Sequence, residues 1–127
     1  MIQRESVVKV ADNTGAKTAM VIGIPHGTSR KKASIGDVVI VVVKKASSTG
    51  SVSSGQIMRA VVIRTKFGLK RRDGTHLKFG DNSVVLLDSN ISLGKFKPKG
   101  KVVLGCVPRE IRDKGMRDIT NICSEVI

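Results

Sequence analysis

The feature that most constrains this chain is a series of short β-branched runs punctuated by turn-forming residues. Val7, Val8 and Val10 make the first. Met20-Val21-Ile22-Gly23-Ile24, Val38 to Val43, Ala60-Val61-Val62-Ile63 and Val84 to Leu87 follow, with Gly, Asn, Asp or Ser between them. Val and Ile are stiff at the first side-chain torsion and pack well on a pleated surface, so the runs predict strands. Several are apolar at consecutive rather than alternating positions, which requires cover on both faces of the sheet. One face turned into a barrel and the other lying under a loop or a partner meets that requirement. The expected fold is all-β, a small closed five-stranded barrel.

Asp12-Asn13-Thr14-Gly15 and Asp73-Gly74 combine residues that tolerate left-handed backbone with glycines that adopt it freely, and predict hairpins or sharp corners. The polar, Ser-rich stretch from Lys44 to Gln56 joins two strong strands. It is expected to project as a loop or β-ribbon ordered mainly by what it binds. Arg109 to Gly115 follows Pro108 and ends on glycine, the punctuation of a short helix. A second short helix is predicted from Asp118 through Val126, because Ile119, Ile122, Cys123 and Val126 fall on one face at helical spacing.

These C-terminal helices and the barrel fit one domain over residues 1–127, with no long linker and no internal repeat. The longest apolar stretch, Val38 to Val43, is far shorter than the roughly 20 residues of a membrane span, so no membrane contact is expected. The start runs directly into Ser6-Val7-Val8-Lys9-Val10 without a signal or transit segment. The expectation is a protein made where it works, or one whose leader has been removed.

Charge narrows the function. The chain carries 23 Lys and Arg against 10 Asp and Glu, a net charge of +13, which repels other copies and attracts polyanions. The cations come in blocks: Arg30-Lys31-Lys32, Lys44-Lys45, Arg64 with Lys66, Lys70-Arg71-Arg72, Lys95 to Lys101, and Arg109, Arg112, Lys114 and Arg117. One such block is usually a solvated face, but their recurrence in one small domain points to phosphate contacts. Trp and Tyr are absent and only three Phe occur, which disfavours a reader of single strands built on aromatic platforms. No helix-turn-helix, zinc finger or basic zipper is recognisable, so folded RNA fits better than DNA.

An enzyme is not expected. His26 and His76 lie in basic loop contexts without a partner at motif spacing, and the aspartates mostly border strands and turns, where local backbone hydrogen bonds favour them. Cys106 and Cys123 are too far apart for a metal-ligand pair and read as buried, reduced thiols of an intracellular protein. Gly94, Gly100 and Gly105 make no dinucleotide fingerprint, and no phosphate loop is present. No catalytic residue, metal or cofactor is expected.

Ala60-Val61-Val62-Ile63, followed after nine residues by Asp73-Gly74 and then by Phe79, Asn82 and Val85-Leu86, resembles the signature of the universal ribosomal large-subunit protein fourteen family. The similarity extends to Met1-Ile2-Gln3, Val10 to Ala16, Ile35-Gly36-Asp37, Val62 to Thr65, Arg71 to Gly74 and Arg109 to Arg112. It implies a five-stranded barrel with a projecting β-ribbon and a short helical C-terminal region. It also implies a structural constituent that binds large-subunit rRNA and helps bridge to small-subunit rRNA during translation.

On the charge blocks, the rRNA-binding residues are expected to be Arg30, Lys31, Lys32, Lys44, Lys45, Arg64, Lys66, Lys70, Arg71 and Arg72. The resemblance assigns Arg109, Arg112, Lys114 and Arg117 to the intersubunit side. It further implies packing against large-subunit proteins three and nineteen, the latter by sheet extension, and docking of a ribosome-silencing factor. At the last site the chain has Lys101-Val102 where family members often carry Thr-Arg, and Val cannot replace the hydrogen bonds of Arg. Extra residues between Ile91 and Lys99 and the Ser-rich ribbon suit a mitochondrial or other organellar ribosome better than a bacterial one.

Overall fold

The computed structural model describes residues 2–25, 32–88 and 97–127. Five strands close into a barrel in the order β2 (Val7–Val10), β3 (Ala16–Gly23), β5 (Val38–Ala46), β6 (Ile57–Arg64) and β9 (Ser83–Leu86). All neighbours are antiparallel except the closing pair, where β2 runs parallel to β9 with Lys9 opposite Ser83 and Val10 opposite Val84. Short ladders lie outside the barrel. They are β1 (Ile2–Gln3) with β4 (Lys32–Ala33), and a two-stranded ribbon of β7 (Leu69–Lys70) and β8 (His76–Leu77).

The doubly apolar runs are explained by two cores that share the barrel wall. Val8, Val10, Ala19, Val21, Val39, Val41, Val43, Met58, Ala60, Val62, Val84 and Leu86 fill the interior. Val38, Val61, Ile63, Val85 and Leu87 point outward and are covered by Val103, Val107, Ile111, Met116 and Ile119 of the C-terminal segment. The cover expected from a loop or partner is thus supplied by the chain itself. The opposite wall differs: Val7, Met20, Val42 and Ile57 stand in cross-strand register, with Val7 62% and Ile57 64% exposed.

The barrel seam is held at the corner after β2. The buried Asp12 carboxylate accepts the Thr14 hydroxyl at 2.6 Å and the Thr14 N–H at 3.3 Å through Oδ1, and the Leu86 N–H at 3.0 Å through Oδ2. Burial pushes this carboxyl above its usual range, against the pull of the Thr14 and Leu86 donors. Asn13 Oδ1 accepts the N–H groups of Lys101 and Val102. At Gly15, φ is +97°, and a Cβ there would lie 2.6 Å from Gly50 Cα, so two glycines let two loops touch.

That approach corrects the expectation for the Ser-rich stretch. Its tip folds back on the corner, with Ser51 N–H donating to the Thr14 carbonyl, Ser47 N–H to the Gly15 carbonyl, and Val52 buried. Contacts within its own chain hold it against the corner. The two-stranded ribbon outside the barrel is the β7–β8 hairpin, turned by Asp73-Gly74 with Gly74 at φ +90°.

At the C-terminus, α1 (Glu110–Asp113) lies where predicted, stopped by Lys114 and by Gly115 at φ +89°. The second helix, α2, spans only Arg117–Asn121, and Cys123–Val126 is a strand, β11, parallel to β10 (Val103–Val107). Ile119 is buried, and Ile122 and Cys123 pack on the outer core as the helical spacing predicted, but the backbone differs. A short helix carries a nucleation cost, whereas a strand added to an existing edge gains a hydrogen bond at each step. The strand at Val103–Val107 is not evident in the sequence because Gly105, at φ +82°, sits within an irregular register.

Replacing Asp12 with Asn would keep one acceptor and turn an amide N–H toward a backbone donor. The expected loss is about 1–3 kcal/mol, read as a lower urea midpoint at unchanged slope.

Candidate nucleic-acid interface

The predicted phosphate contacts divide into cations that the fold uses and cations that it displays. Arg64 belongs to the first group. Its Nε donates to Asp81 Oδ1 at 3.0 Å, Nη1 to the Leu104 and Cys106 carbonyls at 3.0 Å each, and Nη2 to Ser83 Oγ at 3.1 Å. The side chain is only 11% exposed. It ties the barrel to β10, and a Cβ at Gly105 would collide with Nη1. Four of the five guanidinium N–H donors are thus engaged by the protein's own acceptors.

Arg71 is also committed. Nε and Nη2 form a fork on the Glu110 carboxylate at 2.7 and 3.2 Å, and Nη2 donates to the Ile127 carbonyl at 2.7 Å. The fork latches the ribbon to α1. Burial raises the Glu110 carboxyl, but the Arg71 bonds and charge more than offset it and leave it below its ordinary value. The Glu110 hydrogen bond likewise raises Arg71. Lys114 is partly committed: its Nζ donates to the Ile35 carbonyl at 3.2 Å and lies 3.8 Å from Asp37 Oδ1, although the side chain is 46% exposed.

The latch has a consequence for the displayed cations. Lys70 and Arg72 of the ribbon and Arg109 beside α1 line one groove with Leu69, Asp73 and Asp113; Lys70 and Arg109 are exposed and Arg72 is too. Residues assigned to two separate surfaces therefore share one at this point. Hydrogen bonds from Thr75 hold the Asp73 carboxyl below its usual range, with smaller help from Arg109 and Arg71. Arg112 and Arg117 are exposed on the helical side.

On the barrel wall, Lys44 and Lys45 are exposed at the end of β5. Lys45 is opposite Thr18, which is opposite Lys9, so the two cations flank a threonine across three strands. Lys9 and Lys66 line a shallow groove with Val7, Thr18 and Asn82. Lys9 was missed because it stands alone in an alternating strand and forms no block. The alternation of Val8 and Val10 inward was the signal that it must point out. Lys32 is exposed on β4, whereas Arg30, Lys31, Lys95 and His26 lie outside the described residues.

The thiols differ from expectation. Cys106 and Cys123 are half-buried rather than buried, because they sit on the outer two-stranded sheet, and Cys123 Sγ donates to the Thr120 carbonyl at 3.0 Å. His76 is exposed on the ribbon. Among the described residues no three His, Cys, Asp or Glu side chains are grouped to hold a metal ion.

What the arrangement does chemically is hold cations at fixed spacings along open grooves, a geometry suited to a shaped polyanion. The latch should be sensitive to acid. Glu110 titrates below its ordinary value of 4.5 in the fold, so its contribution is present above that pH and is lost as pH falls through the lower, folded value. Glu110→Gln should therefore be less stable than the parent at pH 7 in urea unfolding, with the gap closing as pH drops below 4.5. A gap independent of pH would count against the ion pair. Residues 1–127 match the family model described as Ribosomal protein L14p/L23e.

Proposed function

Because the chain belongs to the ribosomal protein L14p/L23e family, and so to the structural components of the large ribosomal subunit, we propose that it clamps large-subunit rRNA at several phosphates and contributes to bridges with small-subunit rRNA. The observation that carries this reading is the Arg71–Glu110 fork, which fixes Lys70, Arg72 and Arg109 around one groove. Lys44, Lys45 and Lys66, joined by Lys9, supply the second set of cations on the barrel wall. Cations carried on a folded frame bind without ordering a backbone segment, so the gain from counterion release is offset mainly by the side-chain entropy of the lysines and arginines.

Arg112 and Arg117, with Lys114, are the residues we assign to the intersubunit side. The outer edge of β11 supports sheet extension by a neighbouring protein, the pairing implied for protein nineteen, since among the described residues β11 pairs only with β10. Protein three is the other implied neighbour. Lys101 and Val102 are exposed beside the Asn13 corner, where a silencing factor would meet a lysine and a valine rather than an arginine. The Ser-rich hairpin and the extra residues between Ile91 and Lys99 slightly favour a mitochondrial or other organellar ribosome over a bacterial one. Imaging of the tagged protein in its native cell tests that assignment.

Two outcomes are expected. Changing Lys44, Lys45, Lys66, Lys70 and Arg72 to Ala should weaken rRNA binding and flatten its salt dependence by about 0.7 to 0.9 in logarithmic slope for each phosphate left without its cation. Changing Arg112 and Arg117 to Ala should impair subunit joining more than incorporation into the large subunit, as read on sucrose gradients. Equal loss of both would end the assignment of that surface to bridging. Release of the native protein from large subunits in high salt would instead favour a loosely bound RNA chaperone.

A further inference from the structure

Phe67 is presented in a way that neither core explains. It is 60% exposed. Among the described residues it joins neither hydrophobic cluster, whereas Phe79 packs against the outer one. Buried phenyl rings are worth more to a fold than exposed ones, so a ring left in solvent needs a reason or is incidental.

The backbone beneath the ring is held at several points. Lys66 N–H donates to Asn82 Oδ1 at 2.8 Å, and Gly68 N–H donates at 2.9 Å to the hydroxyl of the buried Thr65. Gly68 has φ +76° and lies so close to the Leu77 carbonyl that no side chain fits there. The turn is thus clamped on both sides of Phe67 and set against the ribbon. Its exposed neighbours are Lys66 on one side and, past Gly68 and Leu69, Lys70 on the other.

We propose that Phe67 is a stacking platform for one unpaired nucleobase of the bound RNA, with Lys66 and Lys70 taking the adjoining phosphates. A nucleotide is the ligand whose chemistry matches the site, because it joins a flat π-face to an anion on either side. A single ring cannot track a strand, so the partner is one extruded base in an otherwise folded RNA, at a bulge or loop. The inference rests on the rRNA-binding reading and names the RNA feature that this part of the surface recognises.

The test uses the full-length protein, large-subunit rRNA from the same source, and the variants Phe67→Leu and Phe67→Trp. Phe67→Leu keeps apolar bulk and loses the ring, and it should bind about five- to hundredfold more weakly. The salt slope should not change, since every cation that neutralises a phosphate is still present. Phe67→Trp should bind at least as well as the parent. Chemical probing should reveal a base protected by the parent and by Phe67→Trp but reactive with Phe67→Leu. Circular dichroism should be the same for all three, because the ring is exposed.

Phe67→Leu binding within twofold of the parent, or Phe67→Trp binding as weakly as Phe67→Leu, overturns the stacking site while salt-dependent binding by the parent keeps the RNA reading intact. A parent protein that shows no salt-dependent binding overturns both.

Discussion

The architecture depends on one buried carboxylate. The barrel closes through a parallel pair of short strands with only two register positions, Lys9 with Ser83 and Val10 with Val84. Parallel pairing is slightly weaker per residue than antiparallel, and a ladder this short leaves little margin. Asp12 extends the seam past the strand end by accepting the Leu86 N–H, while its other oxygen takes both Thr14 donors. The same corner receives the Lys101–Val102 segment through Asn13 and the Ser-rich hairpin through Gly15. Without Asp12 the Leu86 N–H at the end of the seam and the Thr14 N–H at the corner would lose their acceptor.

A second principle governs the cations. Arg64 and Arg71, whose planar forks suit carbonyls and carboxylates, are turned inward as ties between elements. The lysines, compact and strongly hydrated charges, are left on the outside at positions 44, 45, 66 and 70. Arg64 and Arg71 therefore help build the frame, whereas Arg72, Arg109, Arg112 and Arg117 are displayed with these lysines. A count of charge made on the sequence does not separate these roles, because the acceptors that bind Arg64 and Arg71 come from residues 17 to 56 positions away.

The barrel was legible because burial on both sides of its wall leaves a mark that local reading detects, in runs such as Val38–Val43 and Ala60–Ile63. The turns at Gly15 and Gly74 and the stop at Gly115 were legible because a positive φ selects glycine. What was not legible depended on partners distant in sequence. Cys123–Val126 has a helical face and becomes a strand because Val103–Val107 offers an edge. The Ser-rich hairpin looks like a free loop and is tied down because Gly50 can touch Gly15. The candidate site was legible as a set of charges, but not in its grouping, which the Arg71–Glu110 fork imposes.

The pairing of β2 with β9 also sets a timetable. Asp12 and its donor Leu86 are 74 residues apart, so the seam cannot form until the second has been made. During synthesis from the N-terminus, β2, β3, β5 and β6 can assemble only as an open sheet, with the edges of β2 and β6 unpaired and the future barrel interior wetted on one side. Delay at that stage invites edge-to-edge association between nascent chains, and a chaperone that shields a sheet edge would act there. A protein that ends as part of one ribosome is thus made on another, and its barrel can close only after Leu86 has cleared the exit.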